Sequence, residues 1–338
     1  MSSKIFYVIF LFSATISAQV GGKSTYQFLN LVNNPRMAAL GGKVVTNYDY
    51  DPIQAIWNPA SINPEMDNQL SLNYTNYIGD VNYGTAAYAY SWDRRTQVIH
   101  AGITYVNYGK FDGYDEVGNP TNSFSGNEVA ISFGHARNIA FTDFYVGVNL
   151  KLISSKLEQY SSLGGAVDLG VMYHYEDWDL NITGVARNLG TQFTPYHEDY
   201  EPLPFELLFG ISQTLENIPV RWHFTLENMQ QWNVAFSNPA REQTDLEGNV
   251  TKEKINFIDN AMRHMIVGVE LFPESGFNLR LGYNFRRGEE LLIEEKRAFA
   301  GLSGGFGIKL NKLRLSYSYS QYSTAASSSF FGLNIDLQ

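Results

Sequence analysis

No cysteine occurs among the 338 residues. That excludes disulfide staples, thiolate zinc sites and a lipidated signal-peptide cysteine. Charge is sparse at 17%, against about 25% in an average globular chain. Beyond the first twenty positions no apolar run approaches the roughly 20 residues of a spanning helix. With a mean hydropathy of −0.22, a bundle of membrane helices is excluded. A basic surplus is missing too: the net charge of −10 argues against nucleic acid as a partner, because its phosphates demand basic patches.

What is present is aromatic and glycine-rich, with 22 Tyr, 22 Phe and 29 Gly. Abundant Tyr and Gly with little charge suit a surface that is apolar only on alternate residues. The chain opens with Lys4, an apolar core over residues 5–12 and small residues up to Ala18 and Gln19. This is the layout of a secretory signal peptide, residues 1–18, cut between Ala18 and Gln19. Export is the expectation, and about 320 remaining residues suffice for a large closed structure without staples.

From residue 69 onward, alternation with a period of two recurs. In "VRWHFTLE", Val220, Trp222, Phe224 and Leu226 share one face and Arg221, His223, Thr225 and Glu227 the other. "FNLRLGYNF" and "LRLSYSYS" repeat the pattern, which marks strands lying between two different environments. About fourteen such segments can be placed: 69–77, 83–92, 98–108, 127–137, 144–156, 165–175, 178–187, 206–214, 220–228, 264–272, 277–285, 297–309, 313–320 and 329–337. Most reach the nine to eleven residues, roughly, of a tilted membrane strand. Connections after odd strands are mostly longer than those after even strands, as in barrels with long loops at one rim and short turns at the other. Tyr74, Tyr77, Tyr90, Trp92, Tyr105, Tyr108 and Trp178 stand near strand ends, where an interfacial girdle is expected. A soluble sandwich or propeller would bury its apolar faces and has no need of such a girdle.

The expected fold is therefore all-β: a transmembrane antiparallel β-barrel of about 14 strands over residues 69–338, with residues 19–68 as a hatch or plug in the lumen. The predicted inward face carries Lys151, Asp168, Arg221, Glu227, Glu270, Arg280, Lys309 and Arg314. Since about eight strands already enclose all the space their side chains fill, a fourteen-strand barrel conducts water or is plugged. Residues 19–68 lack sustained alternation and contain "DPIQAIWNPASINPE", whose prolines limit helix growth and remove amide donors. In the plug motif Trp57, Asn58, Pro59 and Ala60, the tryptophan is assigned as a packing anchor and Asn58 as a turn-former. A short helix is expected near Ile53–Trp57.

The ordered set "NPRMAALGG", "IWNPASINPEM" and "NQLSLNY", followed by the strand array, resembles the FadL-like outer-membrane barrel superfamily. Within it, residues 26–42 and 56–89 are similar to the PorQ family of the type IX secretion system of Bacteroidetes. That resemblance implies an outer-membrane protein with loops at the cell surface. It would serve as a non-enzymatic subunit of the attachment complex, anchoring a PorZ-like surface protein that works with the PorU sortase and the PorV barrel near lipopolysaccharide. The chain departs from many bacterial outer-membrane barrels in ending at Gln338 rather than an aromatic residue. The competing function is a FadL-like transporter of hydrophobic molecules, which needs an apolar internal pocket, for which Phe28, Leu29 and Ile56 are candidates, and a kinked strand.

Catalytic chemistry has no visible carrier. His100, His135, His174, His223 and His264 fall on different strands and His197 in a loop, with no metal-ligand spacing, and no G-x-S-x-G or Walker loop occurs. No enzyme activity, cofactor or metal is expected. "GLSGGFG" (301–307) reads as barrel curvature or clearance for the plug. Three loops are candidates for partner binding: one carries Tyr196, Glu198 and Asp199, the long 229–263 connection carries Asn238, Arg241 and Lys252, and one carries Arg286 and Arg287.

Overall fold

The computed structural model describes residues 24–93, 97–235, 243–244, 250–251, 255–290, 300–321 and 326–338. The expected signal peptide, its Ala18–Gln19 junction, and Asn238, Arg241 and Lys252 lie outside the described residues.

Fourteen antiparallel strands close into one barrel. In chain order they are β1 (Gln69–Asn76), β2 (Asn82–Asp93), β3 (Gln97–Phe111), β4 (Phe124–Asn138), β5 (Phe144–Leu157), β6 (Tyr160–Tyr175), β7 (Leu180–Thr194), β8 (Glu206–Thr214) and β9 (Val220–Leu226), followed by β12 (Met265–Leu271), β13 (Phe277–Asn284), β14 (Leu302–Leu310), β15 (Leu313–Gln321) and β16 (Ser327–Asp336). Two short strands, β10 (Gln243–Thr244) and β11 (Val250–Thr251), form a separate hairpin within the connection from β9 to β12. Closure comes from β1 against β16, with Gln69 opposite Asp336 and Asn76 opposite Ser329. It leaves no sheet edge, as hydrocarbon requires of a spanning sheet.

Alternation decides which side each residue takes. On β4, Ile131 and Phe133 face outward while Ala130, Ser132 and Gly134 are buried. β6 sets Leu169 and Val171 out and Asp168, Gly170 and Met172 in. Tyr74, Tyr90, Trp92, Tyr105 and Trp178 are exposed as a girdle demands. Tyr77 and Tyr108 are not: both pack on an inner cluster that includes Tyr26 and Phe28, and Tyr108 donates to Glu128.

Strand heights are uneven. β3 to β7 run from 14 to 16 residues, whereas β9 and β12 have 7 each. The predicted strand at 165–175 begins at Tyr160, so the loop expected before it shrinks to 158–159, with Glu158 at a positive φ of 56°. The strand expected at 178–187 runs on to Thr194, and that expected at 297–309 starts only at Leu302. Two connections at the long-loop rim carry helices, α3 (Phe257–Met262) and α4 (Phe285–Glu290). No helix of the described residues is long and apolar enough to cross a membrane.

Candidate functional site

The interior of the barrel is where the chemistry-bearing side chains meet. Residues 24–68 contain only short elements: a 3-10 turn over Gln27–Asn30, α1 (Pro35–Ala39), α2 (Gln54–Trp57), and 3-10 turns over Pro59–Ser61 and Pro64–Met66. Three of these start with the same device. Asn34, Asn58 and Asn63 each accept a backbone N–H from two residues ahead, and each is followed by a proline at the first helical position. An asparagine cap satisfies an orphan donor, and proline there has no donor to lose. Repeated Asn-Pro steps thus start turns that cannot lengthen into helices.

This segment is bonded to strands around the whole circuit. Asn73 of β1 donates to the Asn33 carbonyl at 2.8 Å, and Asn149 of β5 to the Ala55 carbonyl at 2.6 Å. Asn58 donates to Thr183 of β7 at 3.0 Å, Thr46 shares a hydrogen bond with His223 of β9 at 2.9 Å, and Ser303 of β14 donates to Ala39 at 3.2 Å. Inward glycines let the backbones approach. A Cβ on Gly282 of β13 would collide with the Leu40 backbone, and one on Gly147 of β5 with Pro59. Gly305, inside the "GLSGGFG" stretch, faces Ala39, whose Cβ would lie 2.9 Å from any Cβ placed there.

Charge is neutralised in two clusters. Arg36 pairs with Asp49 and reaches Glu270 of β12 at 2.7 Å, and Glu270 also accepts from Arg280 of β13 at 2.7 Å. On the other side Lys43 lies 2.6 Å from Glu206 and 3.2 Å from Glu227. Burial alone would lower the Lys43 pKa, but the two carboxylates outweigh it and raise it. Lys151 pairs with Asp168 at 2.6 Å and donates to Asn188 at 3.0 Å. Arg187 lies 3.7 Å over the Trp57 ring and donates to the Leu29 carbonyl at 2.9 Å. Of the residues predicted inward, Lys151, Asp168, Glu227, Glu270 and Arg280 are buried, Arg221 and Arg314 are half-buried, and Lys309 is exposed at the mouth of the barrel.

The wall is irregular beside this second cluster. Arg187 and Asn188 of β7 both stand opposite Asp168 of β6, a bulge, with Asn188 at φ 58°. Above it β7 loses its partner: pairing with β8 ends at Arg187 and Glu206. A small cavity of about 20 Å³ adjoins the bulge, lined by Phe28, Leu29, Ile56, Trp57, Lys151 and Arg187 among others. A larger cleft of about 470 Å³ opens at the rim carrying the short turns, between Tyr48, Glu65, His174, Arg221 and Arg314. Nothing in the residue types had marked that cleft, because its lining comes from six separate stretches of chain.

The loop candidates scatter. Glu198 and Asp199 are exposed, but Tyr196 turns inward against Tyr26 and donates to Ser155. Burial, with the charge of Glu128 nearby, pushes the Tyr196 phenol up to about 12. Arg286 pairs with Glu290 at 3.1 Å, and Arg287 donates to the Gly41 and Gly301 carbonyls, toward the inner segment rather than the loop surface. No group of three or more His, Asp or Glu able to hold a metal ion occurs among the described residues.

No family model matches the chain, and no curated protein does. Solved structures do. The toluene transporter TbuX of Ralstonia pickettii superposes with a TM-score of 0.54 at 14% identity, over 91% of this chain and 98% of its own. The monoaromatic hydrocarbon channel TodX, as a deletion mutant, gives 0.52 at 12% identity over 89% and 96%. A Pseudomonas aeruginosa FadL homologue gives 0.51 at 10% identity over 90% and 98%. The fold is that of the FadL-like outer-membrane barrels. By name, TbuX is a transporter and TodX a channel.

Proposed function

We propose that this chain is a gated outer-membrane barrel for small hydrophobic molecules, with residues 24–68 as the plug. The observation that carries the reading is the cavity at Phe28, Leu29 and Ile56, where the plug supplies an apolar lining and the wall supplies Lys151 and Arg187. The β7 bulge stands at the same place. The structural neighbours, a toluene transporter and a monoaromatic hydrocarbon channel by name, support it by fold alone. At about 20 Å³ the cavity holds one water, so a ligand enters only when the plug around Phe28–Leu31 withdraws. Isothermal titration of toluene and of a long-chain fatty acid into the detergent-solubilised protein tests this: saturable binding lost in Phe28→Asp supports it, and absence of binding by either ligand sinks it.

A second reading rests on a different observation. Ion pairs bind the plug to β8 and β12, which suits a sealed scaffold. The sequence resemblance to the PorQ family supports anchoring of a PorZ-like partner at the cell surface, in concert with PorU and PorV, by loops near lipopolysaccharide. Pull-down from native outer membranes in mild detergent separates the two: a stoichiometric surface protein supports anchoring, and the barrel alone with bound lipid speaks against it.

A further inference from the structure

The two shortest strands of the barrel are neighbours. β9 and β12 have 7 residues each and pair along their whole length, from Leu226 opposite Met265 to Val220 opposite Leu271. A tilted strand needs about nine to eleven residues to cross the hydrocarbon, so this sector of wall falls short by about two to four residues. The deficit is at the long-loop end. At the short-turn end Ile218 and Phe272 already stand exposed where the girdle lies. On the adjacent tall side the outward apolar face of β7 continues past the last β8 pair to Leu189 and Phe193.

The described residues that link Leu226 to Met265 are packed inside out. α3 is fixed by a capping box between Asn256 and Asp259. Its Asn260 is buried, accepts from the amides of Val234 and Ala235 at 3.2 Å, and donates to the Trp232 carbonyl. Arg263 and His264, just beyond, are buried as well, and His264 bonds the Glu227 carbonyl at 2.7 Å. The opposite face carries Phe257 at 72% exposure and Ile258 at 67%, with Met262, Met229 and Trp232 exposed beside them. Trp232 stacks on Phe257 with centroids 4.7 Å apart. A helix on a water-facing surface has the reverse arrangement, polar outside and apolar within.

We propose that this face lies in the membrane, with α3 and Trp232 completing the apolar band above β9 and β12 by packing on acyl chains of the leaflet at the long-loop rim. The outward series Trp222, Phe224 and Leu226 then continues without a break through Met229 into Phe257 and Ile258. The polar backbone at that depth is shielded by Asn260 and His264, as irregular chain in hydrocarbon requires. The proposal needs only that the barrel spans a membrane and is independent of what the barrel carries or anchors.

The absence of cysteine makes the test direct. Ile258→Cys, Leu281→Cys and Val117→Cys are each labelled with a fluorophore in the full chain, folded in phosphatidylcholine vesicles with or without brominated acyl chains, and heat-modifiable migration confirms folding. Leu281, an outward strand residue, reports lipid, and Val117, an exposed loop residue, reports water. The Ile258 label is expected to lose most of its emission to brominated lipid, as at Leu281, and to resist aqueous iodide. Quenching by iodide in the manner of Val117 would overturn the proposal. So would shielding from both quenchers, which would mean that protein covers the face; Phe257→Cys repeats the reading one residue away.

Discussion

Arg36 ties the N-terminal segment to the wall through a carboxylate on either side, Asp49 from its own segment and Glu270 from β12. Removing Arg36 takes the ion pair from Asp49 while Glu270 keeps Arg280 at 2.7 Å, so the cost is at most that of an uncompensated buried charge, about 3–5 kcal/mol. Arg36→Met is therefore expected to expose the segment at lower urea than the parent, read as tryptic cleavage after Lys43. Equal protection would show that hydrogen bonds to the other strands suffice. At the short-turn rim Asp179 is the acid-sensitive counterpart. Burial pushes its carboxyl up, but Arg221 at 2.6 Å and the Thr214 hydroxyl pull it below the usual range. A depressed carboxyl stabilises the fold above its ordinary pKa, and that contribution fades as pH falls through the lowered value. Because the pair is partly exposed, about 1 kcal/mol is at stake. Asp179→Asn is expected to flatten the acid limb of a thermal-melting profile below pH 4, roughly where free Asp titrates, and to lower stability slightly at neutral pH.

Strands were the elements most legible in the sequence, because the two faces of a membrane wall differ so sharply that alternation survives even through "LRLSYSYS". Their ends were less so. Ser161, Ser162 and Gly164 look like a loop, yet they belong to β6 because their backbones pair with β5 regardless of side chain. Tyr77 and Tyr108 leave the girdle for a related reason: tyrosine suits an interface with lipid and a packed interface with Tyr26 and Phe28 equally. The inward glycines Gly147, Gly282 and Gly305 offered a signal of close approach that only register could decode. At the β7 bulge, Asn188 takes a left-handed conformation and uses its side chain on Lys151 and the Pro204 carbonyl. A β-branched residue there is strained by about 1–2 kcal/mol. Asn188→Val is expected to lower the thermal midpoint clearly more than Asn188→Gly, which keeps the backbone and loses only the side-chain bonds; the reverse order would show that those bonds, not the φ angle, shape the bulge.

For the whole molecule, a fourteen-strand barrel is wide enough to conduct unless its lumen is filled. Here residues 24–68 bond to β1, β5, β7, β9, β12 and β14 from within. In both proposed readings, gated transport and surface anchoring, residues 24–68 close the lumen at rest, and the two differ in whether it opens. Conductance across a planar bilayer, compared between the intact chain and a variant lacking residues 24–67, tests closure most directly. Silence is expected from the intact barrel, and stable, ohmic pores from the truncated one. Steady conduction by the intact barrel, or silence from a truncated barrel that still shows heat-modifiable migration, would contradict closure by this segment.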